Sequence, residues 1–402
     1  MRVLPQIIAV TAVPGLSPTG NLVWLGLRLA DGRTAWGEWA NVPDAQTAGQ
    51  TVQQQVAPLL QGQPFTSFQE WMTRLDSLTE KVVVTRVVKP ETAATGATIS
   101  RRGLITGGLA AERPKMIQSV EERPLFPALR FALSQALLHA FALSRNSTPT
   151  AVLVEEYGLA VPETAVPLQV EATESNIALI RPILATHVAA LSYDTGTARS
   201  GSGFTEHQAT LGANAERLQR YVRQVKEWLT ASTAAQPAIH LNLQGGFTEL
   251  YANNAGKLLG ALYGLEQAAK PYPLLVENVV GGDFPAVRQT LQQLHNYLHL
   301  RRMTTQLAAG YSLFAPEELR ELGDGTAVHH LHLHPAQFGS LHENIQFILA
   351  CQERGIGVTV HADGQMVETA VTLALITHAH TLSGRPDKIY NEMIKMLEIL
   401  RY

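Results

Sequence analysis

Three histidines at alternate positions, His330, His332 and His334, stand in the run Ala327-Val-His-His-Leu-His-Leu-His-Pro-Ala-Gln-Phe-Gly-Ser340. In an extended backbone alternate side chains share a face, so the three imidazoles point one way and Leu331 and Leu333 the other. Imidazole exchanges a proton near neutrality and ligates transition metals, so this face predicts acid–base or metal chemistry. Other candidates stand where apolar runs end. Glu277 closes Pro273-Leu-Leu-Val-Glu277, and Asn242 follows Ala238-Ile-His-Leu. His187 follows Ile183-Leu-Ala-Thr, and His361 lies two residues before Asp363. A carboxylate directly after an apolar strand, such as Glu277, reads either as a functional group or as a rim ion pair. A lone His187 reads more often as a hydrogen-bonded structural residue.

These groups need a scaffold that brings strand ends together. From about residue 161 apolar strand runs alternate with amphipathic helices. The strands are expected at Val166 to Val170, Thr186 to Leu191, Ala238 to Leu243, Leu274 to Asn278, Leu300 to Thr304, Val328 to His334 and Gly357 to His361. The helix from Leu211 to Leu229 carries Ala215, Leu218, Val222, Val225 and Leu229 on one stripe. Such alternation predicts an α/β domain built as a (β/α) barrel, with catalytic groups at the carboxyl ends of its strands. Before it, strands at Val3 to Val13 and Leu22 to Leu29, with a tight turn at Asp31-Gly32, precede helices and read as an α+β unit. Residues 1–160 are therefore one domain and 161–385 the barrel, followed by a C-terminal helix at 386–402, which has the N-terminal domain as one place to pack. Residues 81–123, rich in Gly, Ser and Thr with little periodicity, read as a loop-like insertion.

Composition narrows the function classes. Of 402 residues, 46% are hydrophobic and 16% charged, which is enough for a large core but sparse in charge against the roughly 25% of ordinary domains. A net charge of −3, with scattered Lys and Arg, offers no field for a phosphate backbone, so no nucleic-acid partner is expected. No apolar run is long enough to span a bilayer, and the N-terminal stretch, broken by Pro5 and Gln6, does not read as an export signal. The single cysteine, Cys351, suits a reducing compartment, and the chain is expected in the cytoplasm. No Gly-x-Gly-x-x-Gly, Walker loop, His-Glu-x-x-His or Gly-x-Ser-x-Gly motif points to another chemistry.

In the order of its segments the chain resembles the methylaspartate ammonia-lyases of the enolase superfamily. The likeness is carried by Asp31-Gly-Arg-Thr-Ala-Trp-Gly-Glu38, by the helix Pro127 to Leu143, by Leu211 to Arg223, by His240-Leu-Asn-Leu-Gln-Gly245 and by Asn391-Glu-Met393. The resemblance implies an N-terminal α+β capping domain over a modified (β/α) TIM-type barrel, and a homo-oligomer. It also implies a magnesium ion on three acidic residues, and a lysine that takes a proton beside a carboxylate before ammonia leaves. Matched position by position, Asn242, Glu277 and Thr305 fall on the metal ligands. His334 falls on the basic lysine, His332 on a glutamine two residues before it, and His187 on a second active-site histidine. Glu171, with His361 and Asp363, falls by the substrate.

Three functions follow. One is a diverged lyase or isomerase acting on a small amino or hydroxy acid through His334, His187 and His332, with Glu277 on a divalent metal. Another is an enzyme whose His332, His334, Glu277 and His361 hold zinc or another transition metal. The last is a non-catalytic binder of a small acid or of a protein partner on the same scaffold.

Overall fold

The computed structural model describes residues 4–17, 20–40, 42, 44–63, 66–88, 115–171, 188–195, 211–212, 214–232, 236–362, 364, 366–384 and 386–400. The N-terminal unit opens with an antiparallel three-stranded sheet, β1 (Ile7–Ser17), β2 (Gly20–Leu29) and β3 (Thr34–Ala40). Its β2–β3 turn is closed by Gly32, at φ +88°, and by the Arg33 guanidinium on Asp31. Helices α1 (Ala45–Thr51), α2 (Ala57–Leu60), α3 (Phe68–Asp76), α4 (Pro127–Arg145) and α5 (Pro149–Tyr157) cover it. Helix α4 begins with proline, where the missing N–H costs nothing, and ends on Asn146 in the left-handed conformation. Its face of Leu129, Leu133, Ala136 and Phe141 is fully buried, and it lies so close to β3 that a Cβ on Gly37 would strike the Ala132 carbonyl.

The segment expected as a loop-like insertion at 81–123 is different. It begins and ends as an antiparallel ribbon, β4 (Thr79–Val88) paired with β5 (Lys115–Pro124) from Thr79–Pro124 to Val88–Lys115. The β-branched run Val82-Val-Val-Thr-Arg-Val-Val88 favours that pairing. The Gly- and Thr-rich centre lies outside the described residues.

Eight parallel strands close the barrel: β6 (Leu168–Glu171), β7 (Val188–Asp194), β8 (Ala238–Asn242), β9 (Leu274–Glu277), β10 (Gln306–Gly310), β11 (His330–Leu333), β12 (Gly357–Ala362) and β13 (Thr381–Gly384). Around them run α6 (Glu216–Ser232), α7 (Gly246–Tyr251), α8 (Ala255–Ala269), α9 (Phe284–Leu300), α10 (Pro316–Leu322), α11 (Pro335–Phe338), α12 (Leu341–Glu353), α13 (Val367–Ile376) and α14 (Pro386–Leu400). Alternation divides each strand. Ile239, Leu241, Val276, Leu307, Leu331, Leu333, Val358, Val360 and Leu382 are buried toward the helices. The opposite set, His240, Asn242, Glu277, His330, His332, Thr359, Thr381 and Ser383, fills the interior with polar groups that must satisfy one another. Helix α14 packs along α13 and β13. No described helix is long and apolar enough to cross a membrane.

One strand expectation needs correction, and one strand was not expected. Leu300 to Thr304 is no strand: Leu300 ends α9, and β10 starts at Gln306. The strand Thr381–Gly384 escapes the sequence reading because it is four residues long and its inward residues, Thr381 and Ser383, are polar.

The two units are tied at α3, α4 and α12. Arg130 of α4 pairs with Asp76 of α3 at 3.4 Å and with Glu343 of α12, while Ser340 Oγ donates to Asp76 at 2.9 Å. Burial, aided by neighbouring Glu343, pushes the Asp76 carboxyl up to about 6 against the pull of Ser340 and Arg130. A raised folded-state pKa means that the native chain holds this proton more tightly than the unfolded chain. The resulting stability is complete below the ordinary aspartate value and is lost as pH rises through about 6. Chemical denaturation should accordingly find the native protein gaining stability from pH 7 to pH 5, a slope that Asp76→Asn flattens. An unchanged slope in the variant would remove Asp76 as its source.

Candidate active site

The centre of the barrel is the Glu277 carboxylate, fully buried at the end of β9. Its Oε2 lies 2.8 Å from His240 Nε2 and 3.2 Å from His332 Nδ1, and its Oε1 accepts from Asn278 Nδ2 at 3.2 Å. Burial alone would raise its pKa, but the charge and N–H of His332, with those of His240, outweigh it and hold the carboxyl well below the usual range. Asn278 is left-handed at φ +53°, a conformation asparagine tolerates. Its amide reaches Asn242 Oδ1 at 3.1 Å and Ser312 Oγ at 2.9 Å, while its Oδ1 accepts from Gly310 N at 2.9 Å. Asn242 and Gln244 both donate to Asp194 at 3.1 Å.

From this centre a polar chain leads outward. His332 Nε2 meets Ser383 Oγ at 2.8 Å, and Ser383 Oγ meets His361 Nδ1 at 2.9 Å. The rings of His334 and His361 lie 5.5 Å apart, with Tyr311 at 5.1 and 5.3 Å from them. These two histidines face a cavity between the units, lined also by Glu38, Phe131, Gln135 and Met366. Glu38 is fixed there: its N–H donates to Gln135 Oε1 at 2.9 Å, and its Oε2 accepts from Met366 N at 2.8 Å. The motif Asp31 to Glu38 thus ends at the barrel mouth.

The structure brings His332, His334, Glu277, Asn242 and His361 to this end of the barrel. Glu171 ends β6 beside Asp194, and partial burial together with that aspartate raises its pKa. His187 and Asp363 lie outside the described residues. Thr305 does not belong to the site. It stands before β10, at the amino end of the barrel, where its hydroxyl and N–H donate to Glu266 at 2.8 and 3.0 Å. Its expected place came from the position-by-position resemblance, in which it fell on a metal ligand. The carboxyl end of β10 is Gly310, where a Cβ would collide with the Glu277 carboxylate.

The third histidine of the opening motif, His330, lies deeper, with Nε2 on Thr359 Oγ1 at 2.6 Å. Burial, with like charge at His380, holds it well below its ordinary pKa, so it is neutral at pH 7. The expected cluster of His332, His334, His361 and Glu277 on a transition metal is also corrected. Among the described residues no three His, Cys, Asp or Glu side chains are arranged to hold a metal ion. Both nitrogens of His332 are already engaged, by Glu277 and by Ser383. Sequence reasoning missed His240, Asn278, Ser312 and Ser383. The signal for His240 was present, since it shares a strand face with Asn242. Cys351, read as a packed thiol, is fully buried and pushed up to about 12 by that burial.

Comparison with known proteins gives this geometry a lineage. Residues 201–393 match the family model for the methylaspartate ammonia-lyase C-terminus. Methylaspartate ammonia-lyase 2 of Carboxydothermus hydrogenoformans is 24% identical over 298 residues, 70% of each chain. The Citrobacter amalonaticus enzyme is 22% identical over 302 residues, 69% of each chain. The crystal structure of the latter, containing (2S,3S)-3-methylaspartic acid, superposes with a TM-score of 0.77 at 17% identity, covering 99% of this chain and 100% of that one. Over its C-terminal half this chain is similar to the methylaspartate ammonia-lyase family, and its fold is theirs. Other solved structures share the fold. The β-methylaspartase of Clostridium tetanomorphum, solved as a magnesium complex, matches with a TM-score of 0.74 at 18% identity over 98% of this chain and 99% of that one. Muconate cycloisomerase from Pseudomonas fluorescens matches at 0.57 and 17% identity over 93% and 84%.

The donor set here fits magnesium poorly. The ion prefers near-octahedral oxygen ligands at about 2.0–2.1 Å. Of the three positions that the resemblance assigns, Asn242 is a neutral amide engaged through both its oxygen and its nitrogen, Thr305 is at the opposite end, and Glu277 is held by imidazoles.

Proposed function

We propose that the protein is a carbon–nitrogen lyase-like enzyme of this family in which histidine does the base work. Its substrate is a small amino or hydroxy acid, and the proton removed is the one alpha to a carboxylate. His334 takes that proton, and with an amino acid the C–H electron pair becomes the new double bond as the C–N bond breaks and ammonia leaves. For an isomerisation the same carbanion is reprotonated on carbon instead.

One observation carries this reading. His334, at the end of β11, is buried beside His361 and Tyr311 and lines the cavity that the N-terminal unit closes with Glu38 and Gln135. A base buried in this way suits abstraction from a weak carbon acid. His361 faces the same cavity and is oriented by Ser383, which suits it to donate a proton or to hold a substrate oxygen. His332 is a positioning residue, since its contacts run to Glu277 and Ser383. Glu171, with His187 and Asp363 as the resemblance assigns them, completes the proposal.

Incubation with 3-methylaspartate, aspartate and mesaconate tests it. Turnover of at least one of them is expected, together with a rise in melting temperature on binding. No turnover and an unmoved melt with all three would leave a non-catalytic scaffold as the better reading.

A further inference from the structure

The same buried carboxylate carries a conclusion about what occupies the heart of the site. We infer that this chain holds Glu277 with the imidazoles of His240 and His332 in place of a magnesium ion, so that the site is assembled and stable without divalent metal. The inference rests on reading the barrel mouth as the active site.

Three features converge. The Oε2 of Glu277 is approached from two sides by imidazole nitrogens, at 2.8 and 3.2 Å, and its Oε1 takes an amide N–H at 3.2 Å. Imidazole nitrogens this close to Oε2 occupy the approach that a cation would need to reach the carboxylate. The carboxylate also lies over Gly310, and a side chain there would collide with it, so β10 offers neither a ligand nor room for one while Glu277 keeps this pose. Asn242 is bound through its oxygen to Asn278 and through its nitrogen to Asp194. A fully buried carboxylate needs opposite charge or strong donors close by, and here the two imidazoles supply them.

The test uses full-length protein made without a histidine tag and dialysed against EDTA. Titration calorimetry and thermal melting with magnesium or manganese chloride should give no saturable heat and an unmoved midpoint. Nitrogen-15 spectra of histidine-labelled protein should show an imidazole N–H of His332 protected from exchange, identical with EDTA and with magnesium. A saturable magnesium site, one per chain and abolished by Glu277→Gln, would overturn the inference, and so would a His332 N–H present only after EDTA. The two failures are separable. Magnesium binding at Glu277 defeats this inference while leaving the mouth as an active site, whereas absence of turnover without metal binding defeats the proposed chemistry alone.

Discussion

Replacing His334 with alanine should lower turnover of the accepted substrate by about 10²- to 10⁴-fold, the range that one positioned acid or base contributes. The ring is buried at the end of β11 and faces the cavity between the units, where no other described imidazole except His361 lines the wall. His361 is held through Nδ1 by Ser383 and stands 5.5 Å away, centroid to centroid, so it does not occupy the vacated position. Two readouts separate a base from a merely structural residue. Added imidazole should restore part of the rate in His334→Ala, because a free base enters the space left by the ring. Substitution should also abolish the limb of the pH–rate profile that reports the base. Loss of rate with no rescue, alongside a large fall in melting temperature, would make His334 a packing residue.

The largest effect on stability is expected at Glu277. Removing one partner from a buried charged set leaves the rest uncompensated, which costs about 3–5 kcal/mol. Glu277→Ala strands His240 and His332, both buried, and also deprives the Asn278 amide of an acceptor. Urea denaturation should therefore find the variant destabilised by that amount, with Glu277→Gln milder because its amide oxygen still accepts. The sign is diagnostic. A carboxylate kept to bind an absent metal is a source of repulsion, and its removal stabilises the metal-free protein; a carboxylate kept as partner to two imidazoles destabilises when removed. Stabilisation by Glu277→Ala would contradict the arrangement described above.

Much of the fold was legible because outward and inward residues alternate. Leu331 and Leu333 against His330, His332 and His334 announced a strand with one unusual face, and the structure buries that face inside a barrel. Reading failed where a segment lacked a clear period. Leu300-Arg-Arg-Met-Thr, expected as a strand, is the end of α9 and its turn, and Thr305 just after it lies at the amino end of the barrel. Thr381-Leu-Ser-Gly384 went unseen because a strand in a polar-lined barrel shows little hydrophobicity, and with it went Ser383, the link between His332 and His361. The role of His332 could not be read either. Strand spacing places its ring on the inner face but does not say that its two nitrogens are taken by partners 55 and 51 residues away.

Proton NMR of 3-methylaspartate in D₂O, with wild-type protein and excess EDTA, tests the central claim most directly. Enzyme-dependent exchange of the substrate carbon-bound proton, or formation of mesaconate, is the result predicted for a histidine base working without a divalent metal, and the rate should be the same when magnesium replaces EDTA. Exchange that occurs only after magnesium is added would contradict it.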